Sequence, residues 1–172
     1  MRHLEDTYAI SAQYLGPHNQ LTARMREILV DWMSEVQEEY SLSTAALHLA
    51  VSFLDSFLSC RPVSRQELQL VGIVSCLIAV KLDDLLNVCL TRDECVYITN
   101  NTYTIIEIER MEVLMVSTLK IKGQFTRAPT IEMFRRFFDK QLPSFSCKLP
   151  RMLSHYLCDL ALVQYDMLEF KP

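Results

Sequence analysis

Glycine is almost missing from this chain. There are three in 172 residues, and two of them, Gly16 and Gly123, stand at breaks in the pattern. No stretch alternates apolar and polar residues as a half-buried strand would, so the chain is read as all-α. Phosphate loops and the common catalytic signatures are also missing: GxxxxGK, GxSxG, HExxH and GxGxxG do not occur. Asp83 and Asp84 are neighbouring carboxylates, but adjacent helical residues point about 100° apart and do not converge on one reacting atom. These absences describe a binding module rather than an enzyme, with no cofactor and no catalytic residue.

Long hydrophobic runs are lacking as well. The most apolar one, LQLVGIVSCLIAVKL, falls short of the ~20 residues that a membrane span needs. It is read as a buried core helix, and no membrane partner is expected. The first residues, MRHLEDTYAI, contain no signal-peptide core. Net charge is −4 with no long basic run, which argues against nucleic acid as a partner. The six cysteines form no CxxC pair and stand in no secretory context, so they are read as reduced, mostly packed thiols of an intracellular protein. The four histidines share no ligand spacing with them, which excludes a zinc site.

What the chain does have is helical periodicity. A short helix is predicted over about Arg2 to Ile10, followed by a break at Gly16-Pro17. The next helix runs from about Thr22, a suitable N-cap, to Tyr40. Ser41 to Ser43 make a tight connection, and a helix follows over about Thr44 to Ser59. Ser64 and Glu67 form a capping box for a helix over about Arg65 to Asp84, apolar nearly all round, which other helices must surround. A short helix from Thr91 to Ile98, a turn at Asn100-Asn101 and a helix from Thr104 to Leu119 complete five. After Gly123 two more are expected, about Pro129 to Lys140 and Leu149 to Leu168. Their apolar faces include Phe134, Phe137, Phe138, Leu153, Leu157 and Leu160, with no central helix to enclose them. The organisation is 1–20, N-terminal helix and linker; 21–122, a five-helix bundle; 123–172, a partial second unit.

One stretch, MREILVDWMSEV, is apolar over too wide an arc. Met25, Ile28, Leu29, Val30, Trp32, Met33 and Val36 span about 200° of the helical wheel at ~100° per residue. A single core face needs little more than ~100°. Arg26 falls inside the same arc. Two sides of this helix therefore require partners, and the arginine requires a counter-charge.

Here the residues resemble a known family. MREILVDWMSEVQEEYSLSTAALHLAVSFLDSFLS is similar to the opening of the cyclin box, QELQLVGIVSCLIAVKLDD to its central helix, and ECVYITNNTYTIIEIERME to its fourth and fifth helices. APTIEMFRRFF and LALVQYDM resemble the start of a second cyclin repeat. PVSRQELQLVGI and VQYDM look closest to mitotic B-type cyclins, with A-type next. The resemblance implies the cyclin fold, two five-helix repeats of which the second is incomplete in this sequence. The N-terminal tail that carries the degradation motif of mitotic cyclins has no counterpart here.

The resemblance also implies a regulatory subunit, not itself an enzyme, that binds and activates a cyclin-dependent kinase in cell-cycle control, in the nucleus and cytoplasm. Lys81 and Glu112 match the family's kinase-contacting pair, and Val116 and Ile121 match part of the adjoining apolar pocket. Read physically, Lys81 ends an apolar helix, where a cation suits the dipole. Met25, Ile28, Leu29 and Trp32, with Leu68 and Gln69, match the patch that docks substrates or inhibitors bearing Arg/Lys-x-Leu. Glu35 matches the acid that receives the basic end of that motif. Arg26 and Asp55 match a buried salt bridge. This chain departs from the family at Ser56, at Leu82-Asp83-Asp84, and by extra residues near Asn87 and Gly123. Those departures leave a second reading, a non-activating cyclin-box adaptor or decoy. A third, a DNA-contacting transcription factor of the same fold, conflicts with the acidic charge.

Overall fold

The structure is a computed structural model that describes residues 15, 20–83, 90–121, 130–141 and 148–169. The helix expected at Arg2 to Ile10, the unit boundary near Gly123, Asp84 and Asn87 lie outside those residues. Every regular element among the described residues is helical: α1 (Ala23–Glu39), α2 (Thr44–Cys60), α3 (Leu68–Leu82), α4 (Arg92–Ile98), α5 (Ile105–Ile121), α6 (Ile131–Gln141), α7 (Lys148–Val163) and a 3-10 turn (Tyr165–Glu169). The chain is all-α, as the missing strand periodicity required.

Helix starts follow local capping chemistry. Thr22 and Ser43 accept the Met25 and Ala46 amides and open α1 and α2. Thr91 and Glu94 exchange side chain-to-backbone bonds in a full capping box for α4. Thr104 and Glu107 do the same at α5, with amide bonds of 2.8 and 3.3 Å. The Ser64–Glu67 box also forms, through amide bonds of 3.1 and 3.3 Å. Yet α3 begins at Leu68 rather than Arg65, because the Glu67 amide reaches back only to the Ser64 carbonyl and closes a tighter turn first. Asn100 and Asn101, at φ 53° and 57°, take the left-handed turn between α4 and α5, which asparagine tolerates.

The central helix is α3. Every residue from Leu70 to Val80 is buried, and α1, α2, α4 and α5 all touch it. It meets α1 closely at Gly72: a Cβ there would lie 2.8 Å from Leu29 Cδ1, so the glycine leaves room for the Leu29 side chain. The second helix is almost as enclosed. α2 packs on α1, α3, α5 and also α6, and buries even His48, Asp55 and Ser56. Pattern reading marked one surrounded helix; a second exists because the C-terminal helices lie against the first five. α6 rests on α2, while α7 and the 3-10 turn rest on α1.

The last helix differs from its sequence expectation. It was expected to run from Leu149 to Leu168, but α7 stops at Val163 and a 3-10 turn replaces its end. The carbonyls of Leu162 and Val163 there accept hydrogen bonds of 3.0 and 2.9 Å from Arg26 Nη1, so an arginine of α1 caps α7.

Candidate functional site

Lys81 and Glu112 meet between the end of α3 and the middle of α5. Lys81 Nζ donates to Glu112 Oε1. Sequence reasoning missed a third member: Arg92, the first residue of α4, donates from Nε and Nη2 to Glu112 Oε2 at 3.1 and 2.9 Å. The cations remain largely open, with side chains 45% and 41% exposed, while Glu112 is sunk to 13%. Burial pushes the Glu112 carboxyl up, but the hydrogen bonds and charges of Lys81 and Arg92 outweigh it and hold the group below its usual range. A signal for Arg92 was present. A cation in the first turn of a helix sits at the end the dipole disfavours, so it needs a compensating anion.

The core stripe of α5 is Ile108, Met111, Met115 and Leu119, and Glu112 lies at its edge. Val116 is one turn beyond Glu112, half-buried on the same side of the helix. Ile121 is 83% exposed, and its nine-residue separation from Glu112 puts it on roughly the opposite side of α5. The structure thus brings Val116 to the charged cluster but not Ile121. Val113, 65% exposed, continues the apolar surface between them.

The wide arc of α1 divides in two. Leu29, Val30, Met33 and Val36 are buried, whereas Met25 and Trp32 are half-buried and Ile28 is 56% exposed. Leu29, expected on the outward stripe with Met25 and Trp32, lies instead in the α1–α3 seam against Gly72. Leu68 is buried as well, Gln69 is half-buried, and Glu35 is exposed at the side. Of the expected patch, Met25, Ile28, Trp32, Gln69 and Glu35 reach the surface, above a floor of Leu29 and Leu68.

Arg26 meets Asp55 through two bonds of 2.8 and 2.7 Å, with both side chains 2% exposed. Its remaining nitrogen holds the end of α7, and the Tyr165 ring lies 6.0 Å away. No local signal could have disclosed this contact, which spans 136 residues of sequence. A second tie joins the units, from buried His48 Nε2 to Asp159 Oδ1 at 3.2 Å.

Fold and face together define a class: an all-helical box around one apolar helix, which presents a clamped charged cluster and a half-open apolar helix face. The model for the cyclin N-terminal domain matches residues 1–122, and the chain belongs to the cyclin family. It is 35% identical over its whole length to a G2/mitotic-specific cyclin-B of Patella vulgata, covering 40% of that protein. It is 38% identical, again over its whole length, to cyclin-A1 of Mus musculus, covering 39% of it. It is also 38% identical over 88% of its length to cyclin-A2-1 of Oryza sativa, covering 31% of it. The chain therefore spans two fifths or less of these curated relatives.

Proposed function

We propose that this chain is a cell-cycle regulatory subunit that binds and activates a cyclin-dependent kinase. Family membership supports the class. The observation that carries the kinase contact is the Lys81–Glu112 pair, held at the surface between α3 and α5 beside the half-buried Val116. A carboxylate that pre-orients its cation loses little freedom when a partner arrives. The open side of α1 has the chemistry for an Arg/Lys-x-Leu peptide. Met25, Ile28 and Trp32 supply apolar anchors, and Glu35 supplies the charge. The nucleus and cytoplasm are the compartments proposed.

The test is purification against a panel of cyclin-dependent kinases, followed by a histone phosphorylation assay. Lys81→Ala with Glu112→Ala should abolish kinase capture with helical content unchanged; parental affinity in the double variant refutes the contact. Met25→Ala with Trp32→Ala should weaken the peptide far more than the kinase. Ile28→Ala tests the most exposed anchor without touching the core.

A second reading, a non-activating adaptor or decoy, is favoured by one observation. Asp83, which departs from the family pattern, accepts a hydrogen bond from Ser43, the N-cap of α2, and so ties the end of α3 back to the box. Kinase capture without histone phosphorylation is the result that selects it.

A further inference from the structure

Glu112 is the least exposed member of its cluster, and both its oxygens are occupied. It is poorly placed to meet a partner directly. Lys81 and Arg92 are open. Lys81 keeps two further ammonium protons, and Arg92 Nη1 has no acceptor among the described residues, since its Nε and Nη2 are the nitrogens spent on Glu112. Two cations against one carboxylate leave the cluster one positive charge in excess, on a chain whose net charge is −4.

Among the described residues, no acid other than Glu112 forms an ion pair with either cation. Glu94 is committed to the Thr91 cap. Asp83 accepts from Ser43. Glu109 is one turn before Glu112, and Asp93 lies next to Arg92 in sequence; neither forms an ion pair with Lys81 or Arg92. Arg92 itself stands at the end of α4 where the helix dipole opposes a cation. Glu112 is its ion-pair partner among the described residues, and a guanidinium with a spare N–H edge can take a second carboxylate without releasing the first.

We infer that Arg92 is a partner-selecting residue, which together with Lys81 receives a carboxylate from the bound protein beside the apolar Val116–Val113 surface. The occupant is a protein segment that carries one aspartate or glutamate next to apolar side chains. This rests on the proposed kinase contact and deepens it. Among kinases that bind the Lys81–Glu112 pair, Arg92 favours those that present an acid at this point.

The test uses the full chain and the kinase it captures most strongly from the panel. Arg92→Gln should weaken that complex on the order of tenfold, the effect of one charge-assisted hydrogen bond. The loss should shrink as salt is raised. Arg92→Lys should recover part of the affinity, and melting curves should show both variants folded, since Arg92 is half-exposed. Scanning the kinase's interface acids to lysine against Arg92→Glu should find one position where the two reversals restore binding together. Unchanged or tighter binding by Arg92→Gln, while Lys81→Ala abolishes it, overturns this inference and leaves the kinase contact standing; tighter binding would mean that Arg92 competes with the partner for Glu112. Parental binding by Lys81→Ala, Glu112→Ala and Arg92→Gln alike, or capture of no kinase, overturns both.

Discussion

The five-helix box and the two C-terminal helices are built from similar amphipathic material, yet they use it differently. Among the described residues, every buried apolar residue of the core lies between Leu21 and Leu119. In α6 and α7, Phe137, Phe138, Leu149, Met152, Leu153 and Leu157 are 47–74% exposed. The one fully buried side chain there among the described residues is polar: Glu132, held by Arg135 at 2.6 Å and Arg136 at 2.8 Å. The box is held by apolar burial around α3. The C-terminal pair is attached to it by polar ties, Arg26 to the end of α7 and His48 to Asp159, and by the half-buried Leu162 and Val163, with part of its apolar surface left outward. An amphipathic helix specifies which face must be covered but not what covers it.

The largest test of this contrast is Arg26→Ala. It strands Asp55 as an uncompensated buried charge and frees the α7 terminus, and should cost about 3–5 kcal/mol in denaturant melts. Hydrogen exchange should show the loss spreading into α7 and the 3-10 turn. A cost below about 1 kcal/mol would mean that neither unit depends on this residue.

Next comes a matched pair. Leu77→Ala, at a fully buried position of α3, should cost about 3 kcal/mol, whereas Leu153→Ala, 53% exposed on α7, should cost under about 0.5 kcal/mol. Equal losses would show that α7 is covered in solution, and a concentration-dependent melt would then identify self-association.

Glu132→Gln follows, at about 1–3 kcal/mol, because the amide leaves two arginines with weaker acceptors. Burial raises the Glu132 carboxyl, but the Arg135 and Arg136 hydrogen bonds outweigh it and hold the group below its usual value of 4.5. Its contribution is thus complete above that pH and is lost as pH falls through the depressed native value. An acid titration should show the parent losing stability in that range and Glu132→Gln losing less.

The smallest effect expected inside the buried core is that of Gly72→Ala. The new Cβ would meet Leu29 Cδ1 at 2.8 Å and its other side-chain carbons at 3.3 Å, so Leu29 must shift, at about 1 kcal/mol. This variant also asks whether the floor beneath Met25 and Trp32 shapes the docking face. Parental stability with weaker peptide binding would show that it does.

Much of this molecule was legible without coordinates, because much of it is local. Helix positions follow from periodicity, the Thr91 and Thr104 starts from side chains that reach their own backbone, and the central place of α3 from apolar residues all round its axis. The wide arc of α1 was legible, and Val30 and Met33 are buried on its core side; the place of Leu29 was misread as outward. At ~100° per residue Leu29 lies about 40° from Met25, toward Met33 and away from Trp32, and it sits in the seam against Gly72. Arg92 left a trace in the sequence, a cation at the wrong helix end, but its anion lies on another helix. Arg26 left none for its second role, since the carbonyls it caps are 136 residues distant.

The sequence by itself determined the helices, their capped starts, the buried axis and the need for a counter-charge at Arg26, since each depends on residues within a turn or two of one another. The tertiary structure alone decided which anion answers which cation, where α7 ends, and which apolar faces stay open. Those outcomes depend on how the helices approach in space. A hydrogen bond or a van der Waals contact is decided within a few ångströms, and spacing along the chain carries no measure of that distance.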